Sequence, residues 1–167
     1  EYRKGALWIN GRYGPSSLRL ETATRASSST SGRSLCSRSR CCPTLATSPG
    51  GAIVTFASIN ATLGNAANPI YSAGKGGALS MMRSLADRLA TGGSRINAIS
   101  PGQIRTAMMQ PTLDALGDER FTARIVLERV GEPEEIGGVA RFLLSEEASY
   151  VTASEFVVDG GLTAGSP

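Results

Sequence analysis

The chain has 167 residues, of which 41% are hydrophobic and 19% charged, with a formal net charge of +3 and a mean hydropathy of −0.06. A chain of this length forms one domain with a sizeable core, and it holds no apolar run of about 18 residues of the kind that spans a membrane. It contains no histidine, which excludes histidine-based catalysis and histidine metal ligation, and Cys36, Cys41 and Cys42 have neither zinc-site nor disulfide-framework spacing, so no metal site is expected.

Residues 1–50 contain eight Lys/Arg and two Asp/Glu, a net of +6, whereas residues 51–167 contain nine and twelve, a net of −3. In the first part the run Ala6-Leu7-Trp8-Ile9 is read as a strand, and Ala6 to Asn10 is too short for the apolar region of a secretory signal. From Pro15 to Pro49 the text is mostly Ser, Thr, Arg and Ala, so roughly 14–49 is expected to be poorly structured. Residues 1–49 are therefore set apart as an atypical segment from a catalytic part at 50–167. The Arg/Ser-rich stretch 12–40 has no aromatic platform after Tyr13, and no nucleic-acid partner is expected.

From Gly50 the character changes. Ala52 to Ala57 is a continuous apolar, β-branched run that predicts a strand buried on both faces. A polar loop with Asn60, Gly64, Asn65, Asn68 and Pro69 follows, and then a helix over Tyr71–Ala90, with Ala73, Leu79, Met82, Leu85 and Leu89 at helical spacing and Gly92-Gly93 as its stop. Arg95 to Ile99 predicts a second strand, ended by Ser100-Pro101-Gly102. Thr106 to about Leu116 and Glu119 to Leu127 are expected as short helices, and Pro133 opens another whose apolar face is Ile136, Val139, Ala140, Leu143 and Leu144. Glu155 to Val158 predicts a last strand before Asp159-Gly160-Gly161. This order predicts an α/β fold: a Rossmann-like, doubly wound parallel sheet, truncated to its C-terminal half.

Tyr71 and Lys75 stand four residues apart at the start of a helix, on one face. Ser58 and Pro101 lie at the carboxyl ends of strands, where open parallel sheets place their ligands, so one crevice would collect Ser58, Tyr71, Lys75 and the loop 100–106. These residue types suit proton transfer coupled to hydride transfer at a carbonyl or alcohol. A free phenol, with a pKa of about 10, is a poor base at neutral pH, and a neighbouring ammonium favours its anion. A serine hydroxyl can hydrogen-bond the same substrate oxygen, while the hydride must come from a cofactor. An isolated Tyr-x-x-x-Lys pair is more often an interfacial tyrosine beside a solvated lysine; here the pair has company.

Residues 50–164 resemble the short-chain dehydrogenase/reductase family, over about two thirds of the chain. Gly51-Ala-Ile-Val-Thr-Phe-Ala-Ser58 is similar to the family's serine strand, and Tyr71-Ser-Ala-Gly-Lys75-Gly-Gly to its Tyr-x-x-x-Lys helix, with a matching thirteen-residue step between Ser58 and Tyr71. Arg95-Ile-Asn-Ala-Ile-Ser-Pro-Gly102-x-Ile104-x-Thr106 resembles its nicotinamide-side loop, and Arg129–Ile136 and Phe156–Gly161 its C-terminal signature. The resemblance implies an NAD- or NADP-dependent oxidoreductase that interconverts a small-molecule alcohol and a ketone. Tyr71 would be the acid/base, Lys75 would favour its phenolate and hold the nicotinamide ribose, and Ser58 would orient the substrate oxygen. Pro101, Gly102, Ile104 and Thr106 would contact the nicotinamide, the Ile104 backbone meeting the carboxamide. Residues 107–128, apolar at Met108, Met109, Leu113, Leu116 and Phe121, would form the substrate lid. A cytoplasmic homo-oligomer, packed through the Tyr71 helix and with no membrane partner, is also implied.

The chain departs from that family at its start. Gly5, Gly11 and Gly14 do not have the spacing of the glycine turn that cradles a pyrophosphate, and no apolar helix follows them. The residue that selects NAD or NADP and an asparagine on the strand before that of Ser58 are missing as well. A transit peptide, a truncation or an off-frame translation joined near Gly50 would each produce such a text, the last being preferred. The alternative to an active enzyme is then a truncated or frame-shifted, inactive relative that only folds or oligomerises.

Overall fold

The computed structural model describes residues 7–14, 17–24, 50–107, 109–117 and 119–164. Strands β1 (Leu7–Gly14), β2 (Ser17–Thr24), β3 (Ala52–Phe56), β4 (Arg95–Pro101) and β5 (Glu155–Val158) form one sheet in the order β2-β1-β3-β4-β5. β1, β3, β4 and β5 run parallel where they pair, and β2 is an antiparallel edge strand, with Gly14 opposite Ser17. Ser17–Thr24 is thus a strand inside the stretch expected to be poorly structured, and residues 25–49 lie outside the described residues. The alternation Leu18-Arg19-Leu20-Glu21, followed by β-branched Thr22 and Thr24, has the two-residue period of a strand, which the Ser/Arg-rich composition around it conceals.

Side chains alternate across β3, so the sheet has a core on each face. On one, Ile53, Ala57, Ile96 and Ala98 pack against Leu79, Met82, Ala86 and Leu89 of helix α2 (Pro69–Ala90). On the other, Ala52, Val54 and Ile99 pack against Ile136, Ala140, Leu143 and Leu144 of helix α5 (Pro133–Leu144). Helices on both faces of a mainly parallel sheet make the Rossmann-like arrangement expected. Three short helices complete the fold: α1 (Asn60–Leu63), α3 (Gln110–Leu116) and α4 (Glu119–Thr122).

The helix starts follow from local chemistry. Asn68 caps α2, its side-chain oxygen accepting the Tyr71 backbone N–H at 3.0 Å, and Pro69 supplies a fixed φ in the first turn. That cap moves the start of α2 two residues ahead of the expected Tyr71. α5 opens on a capping box between Glu132 and Glu135. The lid helices are shorter than predicted because the chain after Thr122 turns to meet the end of β5: the Leu127 N–H donates to the Gly160 carbonyl at 3.0 Å. Gly160 and Gly161 have φ of +63° and +85°, and a Cβ on either would sit 2.7 Å from Ile125 or Val126.

Two polar side chains, buried Asn97 and half-buried Arg95, pin β5 and the end of α5 to β4. Asn97 donates to the Val151 carbonyl (2.9 Å) and accepts from the Ser154 N–H (3.1 Å). The Arg95 guanidinium donates to the carbonyls of Leu143 (3.0 Å), Ser145 (2.9 Å) and Val151 (3.2 Å), closing the C-terminal end of α5, where carbonyls lack helical partners.

Candidate active site

The carboxyl ends of β3 and β4, the N-terminus of α2 and the segment 101–112 enclose a cleft of about 810 Å³. Ser58, Tyr71, Pro101, Gly102, Ile104 and Thr106 all line it. Lys75 does not, and stands one turn behind Tyr71.

Lys75 opens the stripe that α2 buries, which continues through Leu79, Met82, Ala86 and Leu89 at helical spacing. An ammonium heading an apolar stripe is costly unless it is bonded. Lys75 is only 6% exposed, and its Nζ donates to the Phe56 carbonyl oxygen at 2.9 Å. Burial pushes its ammonium below the ordinary lysine range. The same Nζ lies 5.7 Å from the centre of the Tyr71 ring, within reach of a cation–π attraction. Tyr71 is half-buried and lines the cleft.

Ser58 is 7% exposed, two residues past β3. Its Oγ accepts the Asn60 backbone N–H at 3.2 Å, which fixes the oxygen and leaves the hydroxyl proton for a cleft ligand. The β3 end is itself held by β4, through Ala57 N–H to Ile99 O (2.8 Å) and Ile59 N–H to Pro101 O (3.2 Å).

On the opposite wall Gly102 donates to the Val158 carbonyl at 3.0 Å, and a Cβ there would fall 2.6 Å from Asp159 Cβ and 2.7 Å from its Cα. Only glycine lets the two strand ends approach this closely. Two residues on, Ile104 forms a parallel bridge with Gly131: Arg105 N–H donates to Gly131 O (2.8 Å) and Gly131 N–H to Gln103 O (2.9 Å). These bonds occupy the backbone on both sides of Ile104 and turn its own N–H and C=O the other way. One donor beside one acceptor fits a planar carboxamide, the recognition group of a nicotinamide. Thr106 accepts the Met109 N–H on Oγ1 at 3.3 Å and fixes the turn that leads into α3.

The described residues thus bring the loop 101–106 and the ends of β3 and β4 together around one cleft. Gly11 and Gly14, whose spacing does not fit a phosphate turn, lie within β1. Among the described residues no cluster of three His, Cys, Asp or Glu side chains is placed to hold a metal ion, and no helix is long and apolar enough to cross a membrane. Met108 of the expected lid, the side chain of Leu116, and the cysteines lie outside the described residues.

Several site residues carried no chemical reading in the sequence. Asn60, Asn65 and Asn68 were legible only as a polar loop, yet all three line the cleft. The pair Asn68-Pro69, a cap residue followed by proline, was the available signal. The role of Gly131 in seating Ile104 depends on a long-range bridge that no local pattern announces.

Comparison with known proteins finds relatives over most of the chain. The family model described as enoyl-(acyl carrier protein) reductase matches residues 19–163. An uncharacterized short-chain type dehydrogenase/reductase of Sinorhizobium fredii is 44% identical over 116 residues, covering 68% of this chain and 21% of its own length. An L-rhamnose 1-dehydrogenase (NAD(P)(+)) of Azotobacter vinelandii is 44% identical over 114 residues, 68% of this chain and 44% of that protein. The crystal structure of a putative 2-deoxy-D-gluconate 3-dehydrogenase from Agrobacterium tumefaciens with bound NADP superposes with a TM-score of 0.67 at 36% identity, over 72% of this chain and 49% of that one. The chain spans half or less of the length of these relatives.

Proposed function

The chain belongs to the short-chain dehydrogenase/reductase family of oxidoreductases, and from that membership we propose that it is an NAD(P)-dependent enzyme interconverting an alcohol and a ketone, with Tyr71 as acid/base. The observation that supports this best is the buried Lys75, set behind Tyr71 and tied to the strand that delivers Ser58. A bound nicotinamide would supply or accept the hydride; the relative from A. tumefaciens holds NADP, and the choice between NAD and NADP is left to the titration below.

The protein's own part is proton handling and positioning. Ser58 Oγ, held by the Asn60 N–H, donates to the substrate oxygen and holds it beside the Tyr71 hydroxyl. Tyr71 gives that oxygen a proton in the reductive direction and takes it back in the oxidative one. The Lys75 ammonium steadies the negative charge that Tyr71 carries after giving its proton. Pro101, Gly102, Ile104 and Thr106 position the nicotinamide, the Ile104 backbone meeting its carboxamide. The lid around Met109 and Phe121 closes over the substrate.

Association into a homo-oligomer belongs to the same proposal. Among the described residues Tyr150 is 103% exposed and Val157, on the edge strand β5, 48% exposed, apolar groups of the kind that subunits cover. Sedimentation of the purified chain tests it, a monomer at all concentrations counting against it.

A second reading rests on length. A chain half as long as its relatives, with no pyrophosphate cradle among its described residues, could fold and yet turn nothing over. Fluorescence titration of the folded chain with NADH and NADPH, followed by turnover assays of the wild type and Tyr71→Phe, separates the two. Saturable binding and a turnover that falls by roughly 10²-fold or more in Tyr71→Phe support the enzyme. Folded protein that binds neither cofactor establishes the inactive relative.

A further inference from the structure

The geometry points to a neutral, hydroxyl-rich carbonyl compound as the substrate, held by the side-chain amides of Asn65 and Asn68; this inference rests on the oxidoreductase reading above. The cleft is about 810 Å³, yet among the described residues none of its lining side chains carries a formal charge. Charged groups in the segments around it have partners, Asp159 among them, whose carboxylate accepts the Gly161 and Thr163 N–H groups. Lys75 points away to the Phe56 carbonyl, Arg105 pairs with Glu132 at 3.2 Å, and Arg129 holds Glu135 with bonds of 2.7 and 2.8 Å. A substrate carboxylate or phosphate entering here would lose hydration and meet no side-chain cation among the lining residues in return.

What the cleft offers instead is neutral hydrogen bonding close to the reacting oxygen. Asn68 stands three residues before Tyr71, and its Oδ1 is held by the Tyr71 N–H at 3.0 Å. Asn65 is anchored in the same manner, its Oδ1 accepting the Ala67 N–H at 3.0 Å. Each carboxamide is therefore fixed by its oxygen and keeps its two Nδ2 hydrogens for a ligand. Thr106 and Thr112 add hydroxyls on the facing wall, able to donate or accept. Paired N–H donors opposite amphoteric hydroxyls suit a run of neighbouring hydroxyls beside a ketone. A site built this way rejects analogues that leave its polar groups unpaired.

The capping role of Asn68 provides the means of testing this, because aspartate and serine cap a helix as well as asparagine does but lack the amide N–H donors. Binding is measured on the ¹⁵N-labelled full chain with NADP⁺ present, using two ketones matched in carbon number: neutral D-fructose and anionic 2-keto-D-gluconate. D-fructose is expected to shift the side-chain amide signals of Asn65 and Asn68 and to bind at least about tenfold tighter than the acid. Asn68→Asp and Asn68→Ser are expected to melt within about 2 °C of the wild type and to lose roughly tenfold in D-fructose affinity. Equal or tighter binding of the acid, unmoved asparagine signals, or unchanged D-fructose affinity in both folded variants would overturn the inference. Preference for the neutral ketone without nicotinamide-dependent turnover would support this inference while removing the oxidoreductase reading. Turnover that favours the acid would do the reverse.

Discussion

The ammonium of Lys75, which does not line the cleft, donates at 2.9 Å to the carbonyl oxygen of Phe56, two residues before Ser58. One hydrogen bond thus joins the first turns of α2 to the end of β3 and fixes the separation of Tyr71 from Ser58. Burial makes the charge unfavourable for the fold by itself, so its presence at the head of an apolar stripe points to chemistry rather than packing.

Replacing Lys75 with methionine should therefore affect activity and stability unequally. Activity is expected to fall by about 10²-fold or more, while stability changes by only about 1 kcal/mol, since a lost hydrogen bond and a relieved desolvation oppose each other. The wild type also carries a pH signature. Its folded-state lysine titrates below the ordinary 10.5, so the unfolded chain holds the proton more tightly. Stability then rises as pH climbs from the depressed value towards 10.5, and this rise should vanish in Lys75→Met. Urea midpoints across alkaline pH read the difference; an identical alkaline limb would show that Lys75 is not the group responsible.

The acid limb belongs to another pair. Glu135 accepts both Arg129 nitrogens and the Glu132 N–H, and Arg129 holds its carboxyl down to about 2, against an ordinary 4.5. A carboxyl depressed in this way stabilises the fold above its unfolded value and ceases to do so as pH falls towards the folded one. Glu135→Gln should flatten the stability curve between about pH 4.5 and 2, a window visible by circular dichroism. Both groups are exposed, so salt should shrink the effect.

How far the sequence disclosed the fold depended on the range of the interaction. β3, β4, β5 and both long helices were legible from periodicity, because their burial is repeated in the local text: Ile53 and Val54 face opposite cores, and Leu79, Met82 and Leu89 recur at helical spacing. Ser58, Tyr71 and Lys75 were legible as residue types at a spacing. The seat of Ile104 against Gly131 and the Arg95 clamp on Leu143, Ser145 and Val151 were not, since each joins residues more than twenty positions apart. β2 was hidden by averaging: a short alternating run sits inside a polar, Arg-rich window.

Gly102 couples that hidden geometry to the cofactor loop. An alanine Cβ would fall 2.6 Å from Asp159 Cβ and 2.7 Å from Asp159 Cα, so the strand ends must separate. Gly102→Ala is expected to cost about 1–3 kcal/mol. The displacement reaches Ile104 and should weaken NADH or NADPH binding by roughly tenfold or more. Fluorescence titration reads the affinity and thermal melting the stability; wild-type values in both would show that Gly102 does not set the loop.

Two further glycines should respond to alanine with opposite signs. Gly161 has φ +85°, and a Cβ there would lie 2.7 Å from Val126 Cβ, so Gly161→Ala meets both backbone strain and a clash with the lid segment. Gly137 lies on the exposed side of α5, where nothing stands within 4 Å of a new Cβ. There the substitution removes only unfolded-chain freedom and raises helix propensity, a gain of about 0.5–1 kcal/mol. Gly161→Ala should instead lose about 1–3 kcal/mol. Melting both variants beside the wild type decides the matter: a destabilised Gly137→Ala would mean that this face of α5 is covered, most simply by a second copy of the chain.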